Sequence, residues 1–134
     1  MVLVDTSVWS LALRRRRSTL SGTEHNTVAR FEHLVKSSFA MLPGPVKQEV
    51  LSGIADEVAF ERLRKELDRY FSPTIDANDF VEAARCFNRC RARGISGSVV
   101  DFLICAIAIR FDAPIFTTDK DFDRYASHLS IRLY

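Results

Sequence analysis

The first apolar run, Met1–Val4, is short and is closed by Asp5, which predicts a strand. Helical spacing follows over Thr6–Leu13, with Val8, Leu11 and Ala12 on one face and Trp9 paired with Leu13. Arg14–Thr23 is polar and basic, contains Gly22, and predicts a loop. Glu24–Lys36 places Val28, Phe31, Leu34 and Val35 on one helical face, and Phe39–Leu42 predicts a second short strand. Gly44-Pro45 opens a helix carrying Val46, Val50, Leu51 and Ile54, with Gly53 near its end. Asp56–Tyr70 is a charged amphipathic helix, and Phe71–Ile75, interrupted by Pro73, predicts a poor edge strand. Asp76 starts the next helix, where Asp76 and Asp79 form an acidic variant of the capping box and Gly94 supplies the stop. After a turn at Ile95–Gly97, the most apolar helix runs from Ser98 to near Asp112, before Pro114. Ile115–Thr118 predicts a strand, Asp119–Leu129 a short helix and Ile131–Leu133 a last strand. Strands alternating with helices imply a parallel sheet covered on both faces.

The 134 residues suit a single domain, 1–134, large enough for a core without covalent staples. A hydrophobic share of 47% with 27% charged residues excludes a disordered or collagen-like chain. The net charge of +2 neither requires nor excludes a nucleic-acid partner, so any basic footprint must be local. Three cysteines are too few and odd in number for a disulfide framework. Cys86 and Cys90 sit one turn apart, but no nearby Cys or His completes a zinc site, and Cys105 lies in an apolar run. The run Val99–Ile109 is too short to span a bilayer and carries Asp101, and the N-terminal segment lacks the pattern of a signal peptide. The expected location is the cytoplasm, with no membrane partner.

Four acids stand where chemistry is expected. Asp5 and Asp119 lie at the C-terminal ends of predicted strands, where open α/β sheets bind ligands. Each has a second reading, as the N-cap of the helix that follows. Asp101 sits among Val99, Val100, Phe102, Leu103 and Ile104, where a lone carboxylate needs a partner, a metal or a route to water. Ser98 and Asp101 also fit capping-box spacing, and the two readings are compatible. Glu49, alone, reads as a solvated helix position. If the four converge, their repulsion is relieved by a hard divalent cation, and oxygen-only ligands select Mg²⁺ or Mn²⁺ over zinc. Such ions activate water and stabilise an in-line displacement at phosphorus, which implies metal-dependent phosphodiester hydrolysis. His25, His33 and His128 show no motif and read as surface residues.

Taken together, these segments resemble the PIN-domain ribonucleases, and among them the VapC-type toxins of type II toxin–antitoxin pairs. The resemblance rests on Val2-Leu3-Val4-Asp5-Thr6-Ser7-Val8-Trp9, Val46-Lys47-Gln48-Glu49-Val50-Leu51-Ser52-Gly53, Asp101-Phe102-Leu103-Ile104-Cys105-Ala106-Ile107-Ala108 and Ile115-Phe116-Thr117-Thr118-Asp119-Lys120-Asp121-Phe122. It implies a three-layer α/β/α sandwich with a central, mainly parallel sheet of four to five strands. It makes Asp5, Glu49, Asp101 and Asp119 the catalytic, metal-holding set. Thr6, Ser7, Thr117 and Asp121 become the groups that orient carboxylates or water around them. The implied partners are an RNA substrate, a cognate antitoxin, a second copy of the chain, and operator DNA only through the antitoxin.

The run Arg14-Arg15-Arg16-Arg17 reads either as a solvated loop or as an RNA-contacting lip. Arg85, Arg89 and Arg93 recur at four-residue spacing as a second basic row. Trp9 reads as a core or dimer-contact residue. A receiver-like or dehalogenase-like phosphoacceptor domain would need a second acid beside Asp5, where Thr6 and Ser7 stand. A housekeeping RNA-processing PIN nuclease and a partner-binding PIN domain remain the alternatives.

Overall fold

The computed structural model describes residues 1–134. Strands β1 (Val2–Val4), β2 (Ala40–Met41) and β3 (Ile115–Phe116) form a parallel sheet in the order β2-β1-β3. Val2 pairs with Ala40 and Leu3 with Met41 on one side, and Leu3 pairs with Ile115 and Val4 with Phe116 on the other. Every strand residue is buried, so helices close both faces.

Seven helices surround the sheet: α1 (Thr6–Arg14), α2 (Gly22–Lys36), α3 (Gly44–Leu51), α4 (Glu57–Leu67), α5 (Ala77–Arg91), α6 (Val99–Arg110) and α7 (Asp121–Ala126). The sheet is narrower than the four to five strands expected. Phe71–Ile75 contributes one bridge, Met41 to Phe71, and Ile131–Leu133 one bridge, Ile115 to Leu133. Pro73 removes a donor from the first of these segments, so the ladder cannot extend there. β3 ends before Thr117 because side chains take over from the ladder. Ser7 Oγ accepts from Thr118 N at 3.0 Å, and Thr117 Oγ1 accepts from Asp119 N at 3.0 Å.

Two helix boundaries also moved. The expected loop Arg14–Thr23 contains a 3-10 turn at Arg17–Thr19, and α2 starts at Gly22 under a Ser21–Glu24 capping box. The expected helix Asp119–Leu129 is confined to α7, with the Asp119 carboxylate accepting from Asp121 N at 2.9 Å. Gly94 ends α5 at φ +73, a backbone value that favours glycine.

One apolar cluster of 30 buried residues joins the layers. Its centre is α6, buried continuously from Phe102 to Ala108. Trp9 is wholly buried, edge-on to Phe31 at 4.8 Å and Tyr70 at 4.7 Å, with its indole N–H donating to Val4 O. It is a core residue. The tightest helix pair is α5 with α6, pinned by a buried carboxylate. Asp79 receives Asp76 N at 2.9 Å, closing the expected capping box, and also pairs with Arg110 Nε at 2.8 Å. No helix is long and apolar enough to cross a membrane.

Candidate active site

The carboxyl ends of β1 and β3 adjoin, and the ladder's last bond, from Asp5 N to Phe116 O at 2.9 Å, sets Asp5 beside Thr117. Asp5 is buried and caps α1. Its Oδ2 receives Ser7 Oγ at 2.7 Å, Thr117 Oγ1 at 2.8 Å and Ser7 N at 3.4 Å. The cap reading of Asp5 therefore holds, and it uses only one of the two oxygens. One oxygen holds the local structure, and Oδ1 has no protein donor while not being sealed from solvent.

The other acids follow the same rule. Glu49, exposed on α3, is reached through Oε2 by the Thr6 hydroxyl. Asp119, exposed beyond β3, gives Oδ1 to Asp121 N. Asp101 is half-buried at the third position of α6, and its backbone N–H donates to Ser98 Oγ at 3.0 Å. Its side chain does not return to Ser98. Instead Asp101 Oδ2 accepts from Tyr125 Oη at 2.8 Å. Each of the four carboxylates thus has one oxygen held by a protein donor and the other without one. None of the four forms an ion pair with lysine, arginine or histidine.

Shared neighbours connect the acids. Burial pushes the Cys105 thiol up, and the charges of Cys86, Asp101, Cys90 and Asp5 add to the effect in that order, so Asp101 and Asp5 both act on it. Tyr125 is pushed well above the usual phenol range by burial first, then by its bond to Asp101 and the charges of Asp101, Asp121 and Asp119. The acids stand round the sheet's carboxyl end without closing on one another. No three His, Cys, Asp or Glu side chains converge tightly enough to hold an ion as placed. Their chemistry nevertheless fits a hard cation: four oxygen donors, each oriented, none neutralised.

Thr6 bonds directly to Glu49, and Ser7 and Thr117 to Asp5. Asp121 reaches Asp119 through its backbone, while its carboxylate pairs with Arg124 at 2.8 Å. Beside Ser7, a cleft of about 480 Å³ is lined by Ser10, Thr118, Arg14, Arg15 and Glu24. The arginine run is therefore divided. Arg14 and Arg15 face this cleft, Arg15 lying 3.8 Å from Glu24, whereas Arg17 is turned away onto Glu32. Arg16 is exposed and lines no part of the cleft. The Ser21 backbone and hydroxyl, and then Arg15, hold the Glu24 carboxyl below the ordinary range.

Sequence reasoning missed Tyr125 and Gly97. A Cβ on Gly97 would overlap the Tyr125 hydroxyl and lie 2.7 Å from its Cζ. The only available signal was a glycine just before the Ser98 cap and a tyrosine three residues beyond Phe122, neither of which specifies contact.

The PIN domain family matches residues 2–127. This chain belongs to that family. At 34% identity over 92% of its length it is similar to the VapC ribonuclease Mb1587 of Mycobacterium bovis, of which 90% is covered. Ribonuclease VapC11 of Mycobacterium tuberculosis is similar to the same extent, 34% over 92% of this chain and 90% of that protein. Solved structures of similar fold include FitAcB from Neisseria gonorrhoeae, with a TM-score of 0.74 at 18% identity over 100% of this chain and 96% of that one. VapBC2 from Rickettsia felis, bound to a promoter DNA fragment, gives 0.72 at 17%, over 100% and 98%. These structural likenesses establish the α/β fold.

Proposed function

We propose that this PIN domain is a divalent-metal-dependent endoribonuclease acting as the toxin of a VapBC-type pair. The observation that carries the reading is the unneutralised acid set, Asp5, Glu49, Asp101 and Asp119, each held by one oxygen at the carboxyl end of a parallel sheet. The VapC ribonucleases at 34% identity support the substrate class.

In this reading the four carboxylates hold Mg²⁺ or Mn²⁺, which when bound supplies Lewis acidity at the scissile phosphate. The protein's own groups do the rest. Ser7 and Thr117 hold Asp5 in one rotamer, Thr6 holds Glu49, and the Asp121 backbone holds Asp119. Arg14 and Arg15 supply positive charge along the adjoining cleft, where the RNA backbone passes. The cytoplasm is the expected compartment. A cognate antitoxin covers the acidic face and carries the pair to operator DNA; the binding of VapBC2 from Rickettsia felis to a promoter DNA fragment supports the DNA part of this reading. The working form is a homodimer.

The test is cleavage of a mixed cellular RNA pool by antitoxin-free protein with Mg²⁺ or Mn²⁺, with EDTA, and with Asp5→Ala. Cleavage that requires metal and is lost in Asp5→Ala is expected. Cleavage that persists in EDTA, or in a folded Asp5→Ala protein, contradicts the assignment.

A further inference from the structure

Tyr125 lies outside the four motifs, yet it is the residue that fixes the Asp101 side chain. Its ring is completely buried, tilted against Phe102 at 4.9 Å and edge-on to Phe122 at 5.2 Å. Its hydroxyl ends at Asp101 Oδ2. A phenol has two side-chain torsions, and here both are set by packing, so the donor arrives at a fixed point. Asp101 is anchored from both ends. Ser98 holds its backbone, and Tyr125 holds its carboxylate away from the capping-box return that the sequence offers.

This arrangement needs room, and Gly97 provides it. Its φ is not in the left-handed region, so the requirement is space and not backbone freedom. Any larger residue there meets the Tyr125 hydroxyl and the Phe102 ring, the latter at 3.0 Å. Tyr125 comes from α7 and Asp101 from α6, so the bond ties these two helices at the acidic face, and Gly97, just before α6, leaves room for it.

We propose that Tyr125 is a positioning residue for the cation site: its hydroxyl holds Asp101 Oδ2 so that Oδ1 is presented to the metal, and Gly97 is the clearance that permits this. The inference rests on the metal-nuclease reading. Removing an outer hydrogen-bond partner of a ligand typically costs about 10–100-fold in metal affinity or activity. The loss at Tyr125 acts through Asp101 and therefore has no separate effect once Asp101 is changed.

The test is Mn²⁺ titration by calorimetry on the full chain, its Tyr125→Phe and Asp101→Asn variants, and the double variant. Phenylalanine keeps the buried ring and deletes only the hydroxyl. About a 10-fold loss of Mn²⁺ affinity is expected in Tyr125→Phe, with no further loss when it is added to Asp101→Asn. RNA cleavage by Tyr125→Phe should recover towards the parent rate as Mn²⁺ is raised. A fluorine placed ortho to the hydroxyl of Tyr125 gives a second readout in an otherwise native protein. Its resonance should move on Mg²⁺ addition, and not in Asp101→Asn. Parent-like Mn²⁺ affinity in Tyr125→Phe, a loss that persists in the Asp101→Asn background, or a silent fluorine resonance overturns the proposal. Failure of the parent protein itself to bind Mn²⁺ overturns the cation site and this inference together.

Discussion

Asp79 in α5 and Asp101 in α6 occupy the same position, third in a helix behind an oxygen-bearing N-cap. Both receive the cap: Asp76 Oδ1 accepts from Asp79 N at 3.2 Å, and Ser98 Oγ accepts from Asp101 N at 3.0 Å. Their carboxylates then diverge. Asp79 folds back to Asp76 N, pairs with Arg110 across the helix hairpin and is sealed. Asp101 ignores its own cap, takes a neutral hydroxyl from Tyr125 and keeps an oxygen without a donor. A buried carboxylate given a cation by the protein is structural. One given only hydroxyls and left half-open is suited to receive its cation from outside.

That contrast can be broken at several points. The largest effect is expected at the site: Asp5→Asn should lower RNA cleavage by more than about 100-fold, since losing outer partners alone reaches that range. Melting should change little, because Asn still accepts from Ser7 and Thr117. On the structural side, Arg110→Met leaves Asp79 buried without its cation. A fully buried pair broken this way costs about 3–5 kcal/mol, and the partial exposure of Arg110 reduces the expectation to about 2 kcal/mol in a denaturant titration. The folded fraction should cleave RNA as the parent does.

Gly97→Ala sharpens the boundary between the two roles. It pushes Tyr125 and Phe102 apart, and a strained core insertion costs about 1–3 kcal/mol. It should also weaken Mn²⁺ binding, which Arg110→Met should not. Ser7→Ala removes a donor to Asp5 and the acceptor for Thr118 N, at about 1 kcal/mol, with a cleavage loss smaller than that of Asp5→Asn. The smallest effect is expected from Arg14→Gln. It should weaken RNA binding across sequences and reduce the salt slope by about one, measured by fluorescence anisotropy. The same change at Arg17, which faces Glu32, should leave the slope unaltered.

Much of this was legible in the sequence because it depends on local rules. The alternation of apolar runs placed β1, β2, β3 and α6, and the caps at Asp5, Asp76 and Ser98 are set within a few residues of themselves. The positions of Asp5, Asp101 and Asp119 were legible because strand ends and helix starts fix where they must lie. What stayed hidden depends on contacts distant in the chain. The Asp76–Asp79 and Ser98–Asp101 spacings are equivalent as sequence, and only Arg110 and Tyr125 decide the carboxylates' fates. The outer strands were overread because Phe71–Ile75 and Ile131–Leu133 have strand-like composition, whereas pairing needs a free ladder, and each found one bridge. The division of Arg14–Arg17 was equally hidden, since Arg15 is drawn to Glu24 and Arg17 to Glu32, both on α2.

The most direct measurement compares Asp79→Asn and Asp101→Asn side by side, each followed by thermal melting and by Mn²⁺-dependent RNA cleavage. The prediction is a crossed pattern: Asp79→Asn melts lower and cleaves normally while folded, and Asp101→Asn melts near the parent and does not cleave. An Asp101→Asn protein that is folded and cleaves RNA at the parent rate would contradict the account.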